Sequence, residues 1–183
     1  MLRVIKYVLD TKTLGLNMCP SGEPGDAWTM TCFTDSDWAN DPETRRSVSG
    51  YVIMIHGVPI CWRSKAQRAV TLSSTEAEWY ALAEATKDIL FLKQAVESMG
   101  LKIVLPIIVR VDNIGAIFMS ENVSATAKTK HVDIRSKFVK EFCEDGVLKI
   151  VFVRSEWNTS DIMTKNLRAD LHARHAAKLV GDK

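Results

Sequence analysis

Apolar and polar residues follow two different periods along the chain. Three short β-rich runs come first, at residues 28–34, 47–56 and 60–64. Because only short turn sequences separate these runs, they predict an antiparallel meander. Apolar residues then recur with a helical period from about Ser74 to Met99, and Gly100 provides a typical stop signal for that helix.

The second half of the chain alternates between strand and helix patterns. A nearly continuous apolar run at 106–111 predicts a strand covered on both faces, and the alternation at 147–153 predicts another. Helices are predicted at 114–121, 132–144 and 161–180, with a loop at 122–130. The order βββ-α-β-α-α-β-α predicts an α/β fold, in which a mixed five-stranded sheet of three antiparallel and two helix-linked parallel strands is flanked by helices.

The N-terminal part of the chain has a different composition. Residues 1–13 have a helical pattern, and residues 15–26 are rich in Gly and Pro, which is typical of a linker. We therefore expect a flanking segment at 1–26 and one folded domain at 27–183. The opening run is too short and too charged for a signal peptide. It is typical of the last turns of a helix that begins earlier in a longer polyprotein.

Overall composition excludes several classes of protein. The chain is 46% hydrophobic and 25% charged, which is ordinary for a globular protein, and its net charge of +2 does not by itself indicate a nucleic-acid partner. The four cysteines form no Cys-x-x-Cys pair, so we expect a reducing, intracellular compartment and neither disulfides nor zinc. No apolar run approaches the roughly 18 residues of a membrane span, so no membrane partner is expected.

Two acids open the long helix, and helical phase separates them. Ser73 and Glu76 have the spacing of a capping box. At roughly 100° per residue, Glu78 continues the apolar stripe of the helix, whereas Glu76 points to nearly the opposite side. A carboxylate on a buried stripe is costly unless it is paired or binds a cation. The alternative is that both are first-turn acids that complement the helix dipole.

Three further acids stand at the ends of predicted elements. Asp35 ends the first strand, Asp112 ends the fourth, and Asp161 opens the last helix. Each has an ordinary alternative, namely a turn for Asp35, a helix cap for Asp112 and a first-turn acid for Asp161. Together with Glu78 they would repel one another, and divalent cations with oxygen ligands resolve that repulsion. Mg²⁺ suits such a site, with Mn²⁺ as a substitute, and two such ions can activate a water and stabilise the leaving oxygen of a phosphodiester.

A resemblance to a known family joins these acids. The stretches FTDSDWA at 33–39 and TRRSVSGY at 44–51 resemble the start of the ribonuclease H domain of copia-type LTR retrotransposon polyproteins. The resemblance continues in order through LSSTEAE at 72–78, VDN at 111–113, TKHVDIR at 129–135 and SDIMTK at 160–165. It covers about residues 28–168, and the helix at 1–13 resembles the segment that joins the reverse transcriptase to this domain.

The resemblance implies a ribonuclease H fold and hydrolysis of the RNA strand of an RNA–DNA hybrid with two Mg²⁺ ions. Its motifs assign the metal-binding and catalytic roles to Asp35, Glu78, Asp112 and Asp161. The implied partners are the hybrid and the reverse transcriptase portion of the same polyprotein, in the cytoplasm, in virus-like particles or in the nucleus. Two alternatives stay open: a catalytically silent module that binds or positions the hybrid, and an integrase-like nuclease.

Candidate nucleic-acid contacts lie outside the four acids. They are Arg45, Arg46, Ser74, Asn113, Lys130 and His131. Basic side chains can bind the phosphate backbone, and hydroxyl or amide groups can bind sugar or phosphate. The ordinary alternatives are a solvated basic surface and, for His131, a hydrogen bond within the protein. We expect little sequence specificity, because an A-like hybrid is recognised through 2′-hydroxyls and shape.

Overall fold

The computed structural model describes residues 2–21, 25, 27–113, 115 and 130–182. The strands in these residues are β1 Leu14–Leu16, β2 Ala27–Trp28, β3 Met30–Asp37, β4 Val48–Ile55, β5 Val58–Ala66, β6 Lys102–Ile103, β7 Ile107–Val111, β8 Leu148–Phe152 and β9 Val180–Asp182. The helices are α1 Leu2–Asp10, α2 Ser74–Ser98, α3 Lys130–Glu144, α4 Asp161–Thr164 and α5 Ala169–Ala176, with a 3₁₀ turn at Ser155–Trp157.

Five strands form a central sheet in the order β5-β4-β3-β7-β8. β4 runs antiparallel to both β3 and β5, whereas β7 runs parallel to both β3 and β8. Short pairs form outside this sheet, with β1 antiparallel to β9 and β2 parallel to β6. The central sheet confirms the predicted α/β fold, in which a three-stranded antiparallel meander is followed by two parallel strands.

Helices α2 and α3 cover one face of the central sheet. Leu82 and Ile89 on the predicted stripe of α2 are fully buried, and they belong to one core cluster with Ile53 of β4 and Val109 of β7. Val139 of α3 joins the same cluster. Most of the apolar burial therefore lies on this face, where it fixes the position of the N-terminal end of α2 relative to the sheet.

The C-terminal segment covers the other face of the sheet. Val52 of β4 and Leu179 form the centre of a second apolar cluster, against which Phe33 and Ile162 pack. Side chains alternate between the two faces along a strand. Asp35 is therefore on the same face as Phe33. The C-terminal segment, which contains α4, packs on this face.

Two predicted boundaries are wrong, and tertiary contacts explain both. Asp35 does not end its strand, because β4 pairs with β3 as far as Asp37 while β7 pairs only as far as Phe33. The single helix predicted at 161–180 is divided, because Lys165 adopts an extended backbone (φ −116°, ψ 147°) directly after α4. The Lys165 side chain donates to Asp35 at this point, and this contact cannot be predicted from helical periodicity alone.

The remaining predicted elements have mixed outcomes. The helix predicted at 132–144 is present as part of α3, and the strand predicted at 147–153 contains β8. The predicted helix at 114–121 and loop at 122–130 lie outside the described residues, apart from single residues. Among the described helices, none combines the length and the apolar character that crossing a bilayer requires.

The N-terminal segment packs against the C-terminal end of the chain. β1 pairs with β9, and the Asn17 N–H donates to the Leu179 carbonyl at 2.9 Å. The ring of Tyr7 meets the ring of His172 edge to face, with the centroids 5.5 Å apart. The segments on either side of the predicted boundary at residue 26 are therefore in contact.

Candidate active site

Three of the predicted acids converge at one end of the central sheet. Asp35, Glu78 and Asp112 each offer a carboxylate oxygen, and these oxygens lie within 4.8 Å of one another. Asp35 and Glu78 are buried, whereas Asp112 is partly exposed. Three carboxylates at this distance repel one another, and their oxygens are the ligands that hard divalent cations prefer.

Parallel pairing of β3 and β7 brings two of these acids together. Phe33 is paired with Arg110, and Asp35 and Asp112 lie two residues further along the two chains. Because residues two apart on a strand share a face, both acids reach the same face and the same end of the sheet. This end is where open α/β sheets bind their ligands.

Glu78 joins the group from the first turns of α2. Ser73 Oγ accepts the Glu76 N–H at 3.1 Å, and Glu76 Oε2 accepts the Leu72 N–H at 2.7 Å. Glu78 instead points towards the sheet, where its Oε1 accepts from the N–H and the hydroxyl of Ser36 at 3.1 and 2.9 Å. The tandem acids therefore separate as helical phase predicted, with Glu76 in the cap and Glu78 among the acids.

The second carboxylate oxygen of Glu78 fits a bound cation. Glu78 Oε2 is buried and has no hydrogen-bond partner among the described residues. Burial raises the pKa of Glu78 well above its usual range, and Asp35 and Asp112 raise it further, although hydrogen bonds from Ser36 act in the opposite direction. A buried oxygen without a donor is costly, and a divalent cation among these oxygens would satisfy it. The chemistry of this donor set therefore fits a metal ion.

Asp161 is connected to the other acids through Lys165. The Lys165 ammonium lies 2.9 Å from Asp35 Oδ1 and 3.1 Å from Asp161 Oδ1. It also lies 3.8 Å from Asp112 Oδ2. The structure thus brings all four predicted acids into one neighbourhood, with a cation of the chain itself among them.

Burial and the nearby charges shift the pKa values of Asp161 and Lys165. Burial, followed by the charge of Asp35, raises the pKa of Asp161 to about 7, although Lys165 opposes the shift. Burial lowers the pKa of Lys165, but the three neighbouring acids outweigh that effect and raise the pKa above its ordinary value. Lys165 is therefore charged at neutral pH, and it neutralises part of the acid cluster.

Sequence reasoning missed several side chains that hold the acids. Thr164 Oγ1 donates to Asp35 Oδ2, and Ser155 Oγ donates to Asp112 Oδ2 at 2.8 Å. Asn158 is fully buried, and its Nδ2 donates to the carbonyl of Thr34 at 2.9 Å. A helix would place residues three and four positions after Asp161 beside it, and that spacing is the one local signal for Thr164 and Lys165.

The structure describes only some of the other predicted nucleic-acid contacts. Arg45 and Arg46 are exposed in the turn between β3 and β4, and Ser74 is the exposed first residue of α2. The side chains of Lys130 and His131 lie outside the described part of the chain. No contact described in the structure assigns these residues a role, and their binding of nucleic acid stays a prediction.

Asn113 directly follows the Asp112 carboxylate and has a local partner. Its Oδ1 accepts the Gly115 N–H at 2.8 Å. This contact is the one expected from a residue that caps the following segment. Asp112 itself accepts from Ser155, so the two neighbours have different environments.

Sequence comparison finds relatives among transposon polyproteins. The retrovirus-related Pol polyprotein from transposon RE1 of Arabidopsis thaliana is 27% identical over 177 residues, which cover 97% of this chain and 12% of that protein. The corresponding polyprotein from transposon TNT 1-94 of Nicotiana tabacum is 37% identical over 133 residues, covering 73% of this chain and 10% of that protein. The chain thus spans about a tenth of the length of these relatives. No protein-family model matches it.

Structural comparison identifies the fold. LC11-RNase H1, isolated from compost by a metagenomic approach and solved in complex with an RNA/DNA hybrid, aligns with a TM-score of 0.56 at 17% identity. The alignment covers 74% of this chain and 94% of that one. The fold and the relatives together confirm the resemblance drawn from the motifs: the chain is homologous to the retrovirus-related Pol polyproteins of copia-type transposons and has a ribonuclease H fold.

Proposed function

We propose that the chain is a metal-dependent endonuclease that hydrolyses the RNA strand of RNA–DNA hybrids during reverse transcription of a retrotransposon. The observation that carries the proposal is the convergence of Asp35, Glu78 and Asp112, together with the unpartnered buried oxygen of Glu78. An all-oxygen cluster of this kind, with two of its three acids buried, suits Mg²⁺, for which Mn²⁺ can substitute. Its position at the carboxyl ends of parallel strands suits a substrate-binding site.

In this proposal the four acids hold two Mg²⁺ ions at the sheet end. Bound there, the ions supply an activated water and stabilise the leaving oxygen of the phosphodiester. The neighbouring side chains fix the geometry of the ligands, because Ser36 donates to Glu78 and Ser155 donates to Asp112. Lys165 limits the mutual repulsion of the acids, since its ammonium lies close to Asp35, Asp112 and Asp161.

The wider context follows from the relatives and belongs to the same proposal. The matched stretches make up only 12% and 10% of the two Pol polyproteins, and we place residues 1–26 as the segment joining a reverse transcriptase portion to a nuclease domain at 27–183. The RNA–DNA hybrid named for LC11-RNase H1 is the substrate proposed here. We place the activity where reverse transcription takes place, in the cytoplasm, in virus-like particles or in the nucleus.

A catalytically silent module that binds the hybrid is the second candidate. The observation in its favour is Lys165, which already supplies a cation to three of the four acids. Because an ammonium has no Lewis-acid chemistry for activating water, a Lys165 that excluded Mg²⁺ would leave a clamp instead of an enzyme. Both candidates predict hybrid binding, so cleavage is the measurement that separates them.

The test is cleavage of a labelled RNA–DNA hybrid by the chain with Mg²⁺. Wild type is expected to cleave the RNA strand, and Asp35→Asn and Asp112→Asn to lose more than about 100-fold in rate because each variant weakens a metal ligand. Glu78→Gln and Glu76→Gln form a matched pair of neighbouring acids. We expect only the former to abolish cleavage, because Glu76 serves the helix cap.

Thermal unfolding with and without Mg²⁺ accompanies the cleavage assay. Wild type and Glu76→Gln are expected to be stabilised by Mg²⁺, and Glu78→Gln to be stabilised less, since a ligand that binds the native state raises its stability. Activity that survives in Asp35→Asn or Asp112→Asn contradicts the proposed site. Hybrid binding without cleavage in wild type supports the silent module.

A further inference from the structure

A groove lies on the same sheet face as Asp35 and Asp112. Its volume is about 540 Å³, and its lining includes Arg110, Lys178, Phe33, Trp157, Thr29 and Thr31. Arg110 and Phe33 are each two residues before an acid of the site, Asp112 and Asp35 respectively. Two residues of a strand span about 7 Å, so the groove begins within one nucleotide's reach of the acids.

Cations stack on the aromatic rings of this groove. The Arg110 guanidinium lies 5.3 Å from the centroid of the Phe33 ring, and the Lys178 ammonium lies 5.6 Å from the same centroid. The Arg174 guanidinium lies 4.7 Å from the Trp157 ring, which Lys178 also approaches at 5.9 Å. Such contacts hold the positive groups in fixed positions.

Among the described residues, these cations have no acidic partner. In the part of the chain that the structure describes, the ion pairs do not include Arg110, Arg174 or Lys178. Lys178 donates to the Thr159 hydroxyl at 3.2 Å, and Arg174 to the carbonyl of Glu156 at 3.5 Å. Burial lowers the pKa of Lys178, and the charges of Arg110 and Arg174 lower it further. Positive charges that repel one another are relieved by a bound anion.

A fourth cation extends the same surface. The register of the parallel pair β7 and β8 places Lys149 beside Ile108, and Ile108 is on the same face of β7 as Arg110. Lys149 is exposed. The positive surface therefore continues from the groove across the last strand of the sheet, which is an extended shape that suits a polyanion better than a single phosphate group.

We propose that this groove binds the sugar–phosphate backbone of the RNA–DNA hybrid beyond the scissile position, through Arg110, Arg174 and Lys178. The inference rests on the proposed nuclease function, because it makes the groove a continuation of the acid site. Arginine and lysine bind phosphate, and hydroxyls bind phosphate and sugar oxygens. The groove supplies Arg110, Lys178 and two threonines, and Arg174 adjoins it at the Trp157 ring. Together they would fix the register of the hybrid without reading its sequence.

Salt-dependent binding tests the groove separately from cleavage. All chains carry Asp112→Asn so that the labelled hybrid stays intact, and Kd is measured by fluorescence anisotropy over a range of NaCl concentrations. Arg174→Gln with Lys178→Gln is expected to weaken binding and to lower the slope of log Kd against log salt by about 2, or about 1 for each phosphate that is no longer neutralised. The charge-preserving pair Arg174→Lys with Lys178→Arg is expected to keep most of the slope.

A matched control removes two charges from elsewhere on the molecule. Lys93 lies about 22 Å along α2 from Glu78, at a rise of about 1.5 Å per residue, and Lys102 lies in β6 beyond the end of that helix. Lys93→Gln with Lys102→Gln is expected to leave the slope unchanged. An unchanged slope in the groove variant, or an equal decrease in the control, overturns the proposal.

Further measurements identify the ligand and separate the two proposals. With single-stranded DNA of the same sequence, the groove variant is expected to show a smaller decrease in salt slope than with the hybrid. A decrease that occurs only with the single strand overturns the assignment to the hybrid. If the double variant unfolds, Arg174→Gln alone, at an exposed position, is expected to lower the slope by about 1. If wild type cleaves the hybrid but the groove variants bind it as tightly as the parent chain, the groove proposal is overturned and the nuclease proposal stands. If the groove variants bind more weakly but wild type does not cleave the hybrid, the nuclease proposal is overturned and the groove proposal stands.

Discussion

Lys165 brings a positive charge into a group of carboxylates. Its ammonium lies within 4.0 Å of an oxygen of Asp35, Asp112 and Asp161. We predict that Lys165→Gln lowers the stability in EDTA by about 2 kcal/mol, or roughly 4–8 °C, because it leaves buried acids uncompensated. Mg²⁺ is then expected to stabilise the variant more than wild type, since no ammonium opposes the ion. Thermal unfolding in EDTA and in Mg²⁺ measures both effects.

Two controls distinguish charge from packing at this position. Lys165→Arg keeps the charge and is expected to stay closer to wild type in EDTA than Lys165→Gln does. Lys93→Gln removes a lysine that is paired with Glu97 on the far part of α2, where exposed pairs contribute little. Identical unfolding of Lys165→Gln and wild type in EDTA would contradict the neutralising role.

Individual residues differ in how far the sequence determines their role. Glu78 could be placed from helical phase alone, because its position on the buried stripe depends on neighbours within the same helix. The contact of Lys165 with Asp35 joins residues 130 positions apart, and that of Ser155 with Asp112 joins residues 43 positions apart. Such contacts depend on the packing of whole elements, so no local pattern could predict them.

The close packing of α4 on β4 depends on a glycine. Gly50 is paired with Asp35 in the sheet, and a Cβ at Gly50 would lie 2.5 Å from Thr164 Cγ2 and 2.8 Å from Met163 Cβ. We predict that Gly50→Ala displaces α4 and costs about 1–3 kcal/mol in stability. Cleavage is expected to fall by about 100-fold, because a displacement of about 1 Å disturbs the alignment of catalytic groups. Unfolding and hybrid cleavage are the measurements.

A second glycine provides the control for this substitution. A Cβ at Gly181 in β9 would meet no atom within 4 Å. Gly181→Ala is therefore expected to change neither stability nor cleavage appreciably. If Gly50→Ala also retained both, the position of α4 would not depend on the absence of a side chain at residue 50.

Among helices and strands, periodicity located the elements whose structure depends on residues near one another in the sequence. The alternation at 147–153 and the helical stripe after Ser74 were sufficient to locate β8 and α2. Periodicity failed at 161–180, because the break after α4 follows from the contacts of Thr164 and Lys165 with Asp35. It also missed β9, a strand of three residues whose partner is β1 near the other end of the chain.

The N-terminal and C-terminal segments of the chain are in direct contact. Leu14 is paired with Asp182 across β1 and β9, and this pairing continues through the hydrogen bond between Asn17 and Leu179. Leu179 belongs to the apolar cluster on the face of the sheet that carries α4. The N-terminal segment therefore supports the part of the chain that positions Asp161, even though composition separates it from the domain as a linker.

Two truncations test whether this support matters. A chain that begins at Met18 lacks both α1 and β1, and we predict that it loses about 2 kcal/mol, or roughly 4–8 °C in unfolding temperature. A chain that begins at Thr11 lacks only α1, whose Leu2 and Leu9 side chains are 84% and 63% exposed, and it should lose much less. Exposed side chains contribute little to stability, whereas β9 without β1 is left as an unpaired edge.

Hydrogen exchange locates the effect within the molecule. In the chain that begins at Met18, faster exchange is expected in β9 and in α4, with little change in α2 and β7, whose core lies on the opposite face of the sheet. Uniformly faster exchange would instead mean that the ends stabilise the fold as a whole. Unchanged stability and exchange in that chain would show that the domain begins after residue 17 and that the contacts of β1 are dispensable for the acid site.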